Sequence, residues 1–231
     1  MAEQAQARRR LVYEEVLALE MHLMQQAQAE LGDASPRAHV VDGPARRAFE
    51  EHVPFSLTGD QQRAVADISQ RMAAPERMRH MLLGDVGTGK TMVAAFALVM
   101  AADSGEQALM MGPTEVLVDQ YAQGLGPLLE KLGVTWAKLT GSTPVSERET
   151  ILEGLASGSI SVCFGTHALL VDDVVCHNCG LVIIDEEQRF GVDQREALMA
   201  KGTACDVLEM TATPIPRTLA LALYGSMTQS Y

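Results

Sequence analysis

No apolar run in this 231-residue chain is long enough to cross a bilayer: the longest, such as Met92 to Ala102, are broken by small or polar residues and reach about half of the ~20 residues a spanning helix needs. The opening MAEQAQARRRL places Glu3 and polar residues where a secretory leader would need a basic start and an apolar run. A membrane span is therefore not expected, and a cytoplasmic location is. Cysteine is scarce. Four residues, Cys163, Cys176, Cys179 and Cys205, do not make a disulfide framework, and three of them flank or enter apolar runs, as reduced buried thiols do. Cys176 and Cys179 form a CxxC pair around His177, but no second pair follows at zinc-finger spacing, which argues against a zinc site. Basic charge is short as well, with 18 basic against 30 acidic residues and a net charge of −12. That balance excludes gripping nucleic acid by bulk electrostatics. Any nucleic-acid contact has to come from local loops and backbone amides, and weak DNA binding by this chain alone is expected. No internal repeat or low-complexity tract is present.

What is there is ordinary globular composition, 47% hydrophobic and 21% charged, in a length that suits one main domain with an appendage. Three regions follow one another. In residues 1–30, Val12, Val16, Leu19 and Leu23 recur at helical spacing with Tyr13, Leu17 and Met24 beside them, which predicts an amphipathic helix docked on its own domain, on a neighbour or on a second copy. Residues 31–54 carry turn-forming Gly, Asp, Ser and Pro and read as a linker with one short helix. From Phe55 to Tyr231 short apolar runs (MLLGDV, ALMMGP, ISVCFGT, LVIIDE, VLEMTAT) alternate with helical stretches. The alternation predicts an α/β domain, a parallel sheet with helices on both faces.

Three clusters in this body carry chemistry. GDVGTGKT, from Gly84 through Asp85, Val86, Gly87, Thr88, Gly89 and Lys90 to Thr91, matches GxxxxGK[ST] between an apolar strand and a helix. In such a P-loop the glycines let backbone N–H groups turn inward around phosphates, the helix N-terminus adds its positive dipole end, the lysine reaches the β- and γ-phosphates, and the threonine hydroxyl ligates Mg²⁺. The second cluster is LVIIDEEQ, where four apolar residues run into Asp185, Glu186, Glu187 and Gln188. Carboxylates at the end of a buried strand need a compensating cation or hydrogen bonds, and Mg²⁺ is the natural one. Asp185 would hold the ion and Glu186 would orient and deprotonate an attacking water. In the third, FSLTGDQQ, Phe55, Thr58 and Gln61 precede a helix. The Gln61 amide suits the edge of adenine, and Thr58 and Gln61 equally suit a helix capping box.

In order, these segments resemble the superfamily-two helicases. LTGDQQRAV, GDVGTGKT, MGPTEVLVDQ, LTGS, FGTHALL, LVIIDEEQRFGV and MTATPIPRTLAL look like the RecA-like first motor domain of the RecG group of branched-DNA translocases over about residues 55 to 225. RFGV and PIPRT are the narrow signals, shared with the transcription-repair coupling translocases, and the N-terminal RRRLVYEEVLALEMHL favours RecG. The resemblance implies ATP and Mg²⁺ as cofactors and branched DNA, such as forks or Holliday junctions, as partner. It implies DNA-tracking loops at Pro113, Thr114 and Glu115, at Gly141, and at Thr166 and His167, with Gln188, Thr211 and Thr213 coupling nucleotide state to DNA contact. The group usually has His at the position of Gln188, so coupling is expected to differ. No counterpart of the group's wedge domain, or of its second motor domain with the arginine finger, is visible. Slow ATP turnover by this chain alone is the expectation, with a nucleotide-binding interaction module as the alternative.

Overall fold

The computed structural model describes residues 38–186, 189–202, 205–212 and 228–230, together with six positions between Arg10 and Met21. Of the residues where an N-terminal amphipathic helix is expected, these are Arg10, Tyr13, Glu14, Leu17, Ala18 and Met21. All six are helical, Arg10 pairs with Glu14 one turn on, and Tyr13, Leu17 and Met21 are exposed. The remainder of residues 1–30 lies outside the described residues, as do Gln188 and Thr213. Among the described residues no helix is long and apolar enough to cross a membrane.

Within the segment read as a linker, Pro44–His52 forms helix α1. Proline at the first helical position costs no hydrogen bond, and the orphan N–H groups of Ala45 and Arg46 donate to the Asp103 carboxylate at 3.0 and 2.8 Å. A Cβ on Gly43 would lie 2.3 Å from Asp103 Cγ, so glycine is what lets this cap approach. Phe49 of α1 is fully buried and meets Phe96 edge-on, centroids 4.9 Å apart. This segment is therefore part of the packed core.

Helix α2 (Gly59–Met72) opens with a capping box, Thr58 Oγ1 accepting from Gln61 N and Gln61 Oε1 accepting from Thr58 N. It buries Ala64, Val65, Ile68 and Met72, a stripe at helical spacing. Strand β1 (Arg79–Leu83) then leads through the P-loop into α3 (Lys90–Asp103), in which Val93 to Ala101 are all buried. A helix apolar all round is one enclosed on every side. There follow β2 (Gln107–Met111), α4 (Glu115–Lys131), β3 (Trp136–Leu139), α5 (Val145–Ser157), β4 (Val162–Gly165), a 3₁₀ turn at His167–Leu170, β5 (Cys179–Asp185), α6 (Val192–Met199), β6 (Asp206–Thr211) and β7 (Thr228–Ser230).

The seven strands lie in the order β3-β4-β2-β5-β6-β1-β7, all parallel. Side chains alternate between faces as the pleat requires. Leu181 and Ile183 of β5 join one apolar cluster with α1 to α4, while Val182 and Ile184 join a second with α5 and α6. The sheet is thus covered on both faces, as the alternation predicts. Two strands go beyond the five apolar runs. In β3, WAKL, only Leu139 is buried, so this edge strand shows no continuous apolar run, and β7 is three residues long.

Candidate nucleotide site

Parallel strands aim all their carboxyl ends at one rim of the sheet, where α/β domains bind ligands. Gly84 leaves β1 with its N–H donating to Thr211 O at the end of β6, 3.3 Å. The chain then turns through Gly87 (φ +85°) and Gly89 (φ +83°) into α3. Both sit in the left-handed region that glycine enters without a Cβ penalty. At Gly89 a Cβ would also lie 2.4 Å from Gln61 Nε2, and that amide donates to Thr88 O at 2.7 Å. Gln61 therefore closes the capping box and braces the P-loop at once. Its amide still keeps one N–H and one oxygen lone pair.

No side chain caps the N-terminus of α3, which leaves backbone donors and the positive dipole end facing the loop. Lys90 folds back so that Nζ donates to Gly84 O (2.5 Å) and Asp85 O (3.0 Å), carbonyl oxygens that stand where an anion would compete for the ammonium. Thr91 follows, half-buried, in the first turn.

Asp185 ends β5 and is 8% exposed. Its Oδ1 accepts from Glu186 N at 2.9 Å, and its Oδ2 accepts the Tyr121 hydroxyl. Burial pushes the Asp185 carboxyl above its usual range. Tyr121 opposes that shift, Glu186 adds to it, and Lys90 opposes it. The Tyr121 phenol is pushed well up by burial and then by Asp185. A buried carboxylate in this state gains from a cation beside it. Glu186 has φ +54°, a conformation costing a non-glycine residue roughly 1–2 kcal/mol. Strain of this kind persists where neighbours over-determine it, typically at functional sites.

The candidate DNA loops lie on the same rim. Thr114 caps α4 by accepting from Leu117 N, next to half-buried Pro113. Glu115 accepts from Ser142 N (3.1 Å) and Ser142 Oγ (2.8 Å), so it ties the Gly141 loop to the start of α4. Thr166 is only 2% exposed and its hydroxyl caps the 3₁₀ turn, which leaves His167 as the exposed member of that pair. Thr211 is buried at the end of β6. Phe55 is half exposed shortly before Thr58. Sequence reasoning missed Tyr121, whose spacing with Val118, Ala122 and Leu125 reads as core, and missed the Glu115 to Ser142 tie, which joins residues far apart in the chain.

A P-loop strand and an acidic strand end, with β6 between them in a parallel sheet, define a RecA-like nucleotide-binding domain. The chain belongs to the DEAD/DEAH box helicase family, whose family model matches residues 58–222, and that family uses nucleotide. Within the family it is similar to the ATP-dependent DNA helicase RecG of Bacillus subtilis (strain 168), 45% identical over 221 residues covering 96% of this chain and 32% of that protein. It is also similar to RecG of Thermotoga maritima, 43% identical over 96% of this chain and 28% of that protein. A solved structure of RecG bound to a three-way DNA junction matches with TM-score 0.81 and 38% identity over 99% of this chain and 31% of that chain. The crystal structure of a hypothetical ATP-dependent RNA helicase from Sulfolobus tokodaii shares the fold, with TM-score 0.58 at 17% identity over 81% of this chain and 56% of that chain. The chain spans about a third of the length of the RecG relatives it matches.

Proposed function

We propose that this chain is the ATP-binding motor domain of a RecG-type DNA helicase acting on branched DNA in recombination and repair. The observation that supports this most is the left-handed Gly87–Gly89 turn at the uncapped start of α3, with Lys90 on it and electrostatically linked to buried Asp185. On this reading the P-loop amides from Gly84 to Thr91 and the Lys90 ammonium bind the phosphates of ATP. Phe55 stacks on the adenine, and the remaining bonding positions of Gln61, held by Thr58, read its edge. Thr91 and Asp185 hold Mg²⁺, which when bound neutralises charge on the phosphates. Tyr121 keeps Asp185 aimed at that position, and Glu186 orients the attacking water and takes its proton.

DNA contact on this reading comes from Pro113, Thr114, Gly141 and His167. The charge of Glu115 is wrong for a phosphate, and its role is to hold the Gly141–Ser142 loop. Thr211, with Gln188 and Thr213, couples the two sites. Residues 38–54 belong to the same domain as the body. The test is steady-state ATP hydrolysis with forked DNA. The chain alone is expected to turn over slowly, and mixing it with a separately expressed second motor domain of a RecG-type helicase should raise DNA-stimulated turnover. Tight ATP binding with no gain from that partner or from DNA would contradict the proposal.

A further inference from the structure

The CHNC segment lies at the opposite, amino-terminal rim of the sheet, where β5 begins. Among the described residues, which include all four cysteines, no three His, Cys, Asp or Glu side chains are grouped to hold a metal ion. The thiols nevertheless gather. Cys163, Cys179 and Cys205 are buried in one apolar cluster, with half-buried Cys176 packed against it. Bends at His177 and Asn178 carry the chain from Cys176 into β5, where the Cys179 thiol donates to Leu181 O at 3.6 Å, and the Cys179 thiol, then the Lys201 charge, hold the Cys176 thiol below its usual range against the effect of burial.

The backbone around the pair is fixed. His177 N donates to Leu155 O (3.0 Å). Asn178 N donates to Gln107 Oε1 (3.0 Å), and Gln107 N donates to Asn178 O (2.7 Å). Lys201 is fixed as well, its Nζ donating to Val171 O at 2.7 Å. One cysteine is thus half-buried, its partner is buried in the cluster it packs against, and a lysine is anchored close by. That is the arrangement of a reactive cysteine with a resolving cysteine.

We propose that Cys176 and Cys179 form a reversible oxidation site that hydroperoxides convert to an intrachain disulfide. The Cys176 thiolate attacks one peroxide oxygen, the O–O bond breaks, and hydroxide leaves, taking a proton to become water and leaving a sulfenic acid on Cys176. The Cys179 sulfur then attacks the Cys176 sulfur. The S–S bond forms as the S–O bond breaks, and the sulfenic oxygen leaves as a second water with the Cys179 proton. Two thiols lose two electrons and one hydrogen peroxide becomes two waters.

The test treats the reduced 231-residue chain with hydrogen peroxide, blocks remaining thiols by alkylation in denaturant, and cleaves before aspartate. Cleavage before Asp173 and Asp185 places Cys176 and Cys179 in one peptide without Cys163 or Cys205. The expected result is that peptide unalkylated and two hydrogens lighter, returning to the dithiol form with dithiothreitol, while Cys163 and Cys205 stay fully alkylated. In Cys179→Ser, the Cys176 sulfenic acid is expected to persist and to be trapped by dimedone. Four alkylatable thiols in the treated native chain, or a disulfide that uses Cys163 or Cys205, would overturn the proposal without any variant having to fold.

Discussion

The two rims of the sheet handle buried polar groups in opposite ways. At the carboxyl rim Lys90 rests on backbone carbonyls, Asp185 is held by Tyr121 and Glu186 N, and the start of α3 has no side-chain cap. These groups are positioned, yet each keeps bonding capacity for a ligand. At the amino rim the polar groups bind one another. His39 lies between Glu106 (Nδ1 to Oε2, 3.0 Å) and Asp206 (Nε2 to Oδ2, 3.1 Å), and Asp206 also accepts from Met78 N at 2.7 Å. One rim is organised for binding and the other for folding. Changes at the first should alter nucleotide binding with little loss of stability, and changes at the second should do the reverse.

The sharpest break of that contrast is Lys90→Ala. ATP affinity or turnover is expected to fall by about 100-fold or more, of the order seen when one group stabilising transition-state charge is removed, while thermal unfolding shifts little. His39→Ala should do the opposite. It removes the imidazole that lies between two buried carboxylates, a loss of about 3–5 kcal/mol by the usual cost of breaking a buried pair, measured by urea unfolding with nucleotide affinity retained in the folded fraction.

The pH dependence of stability sharpens the amino rim. Burial alone would lower the His39 pKa, but its hydrogen bond to Asp206 and the Asp206 and Glu106 charges outweigh that, and the net shift is upward. The stabilisation from His39 is therefore fully present below the unfolded value near 6.5 and is lost as pH rises through the raised folded value. His80 is opposite. Burial, then the Arg71 charge, lower it to about 4, while its ring nitrogens bond Thr228 and Ser230 at 2.8 and 2.9 Å. Between about 6.5 and 4 the unfolded chain takes up a proton that the folded chain does not, so stability falls as pH drops. Unfolding measured from pH 4 to 9 should show a maximum near 6.5, and His39→Gln should flatten the alkaline side alone.

Smaller effects are expected back at the carboxyl rim. Tyr121→Phe keeps the ring and removes the donor from Asp185 Oδ2, costing about 1–3 kcal/mol if the oxygen stays unsatisfied. The Mg²⁺ concentration needed for ATP binding should rise, which a purely structural role would not change. Glu115→Gln weakens one charge-assisted tie to Ser142 by roughly 1 kcal/mol. It should leave ATP binding intact, with any change confined to DNA affinity.

The sequence showed the carboxyl rim well and the amino rim hardly at all. The P-loop and acidic motif are contiguous, and their glycines, lysine and carboxylates declare their chemistry by spacing alone. The amino rim joins His39, Glu106 and Asp206, distant positions whose meeting depends on strand order. Phe49 was equally hidden, because one aromatic in a segment rich in turn formers gives no periodic signal. Gln61 shows both cases at once: its capping box was legible from Thr58 three residues before, whereas its bond to Thr88 O required the loop to fold against α2.

Nucleotide binding at the carboxyl rim is measured most directly by calorimetric titration of ATP with Mg²⁺ into the wild-type chain and into Lys90→Ala. Saturable one-site binding that disappears in the variant, with the unfolding temperature unchanged, is the predicted result. Equal binding by the two proteins, or no binding by the folded wild type, would contradict it.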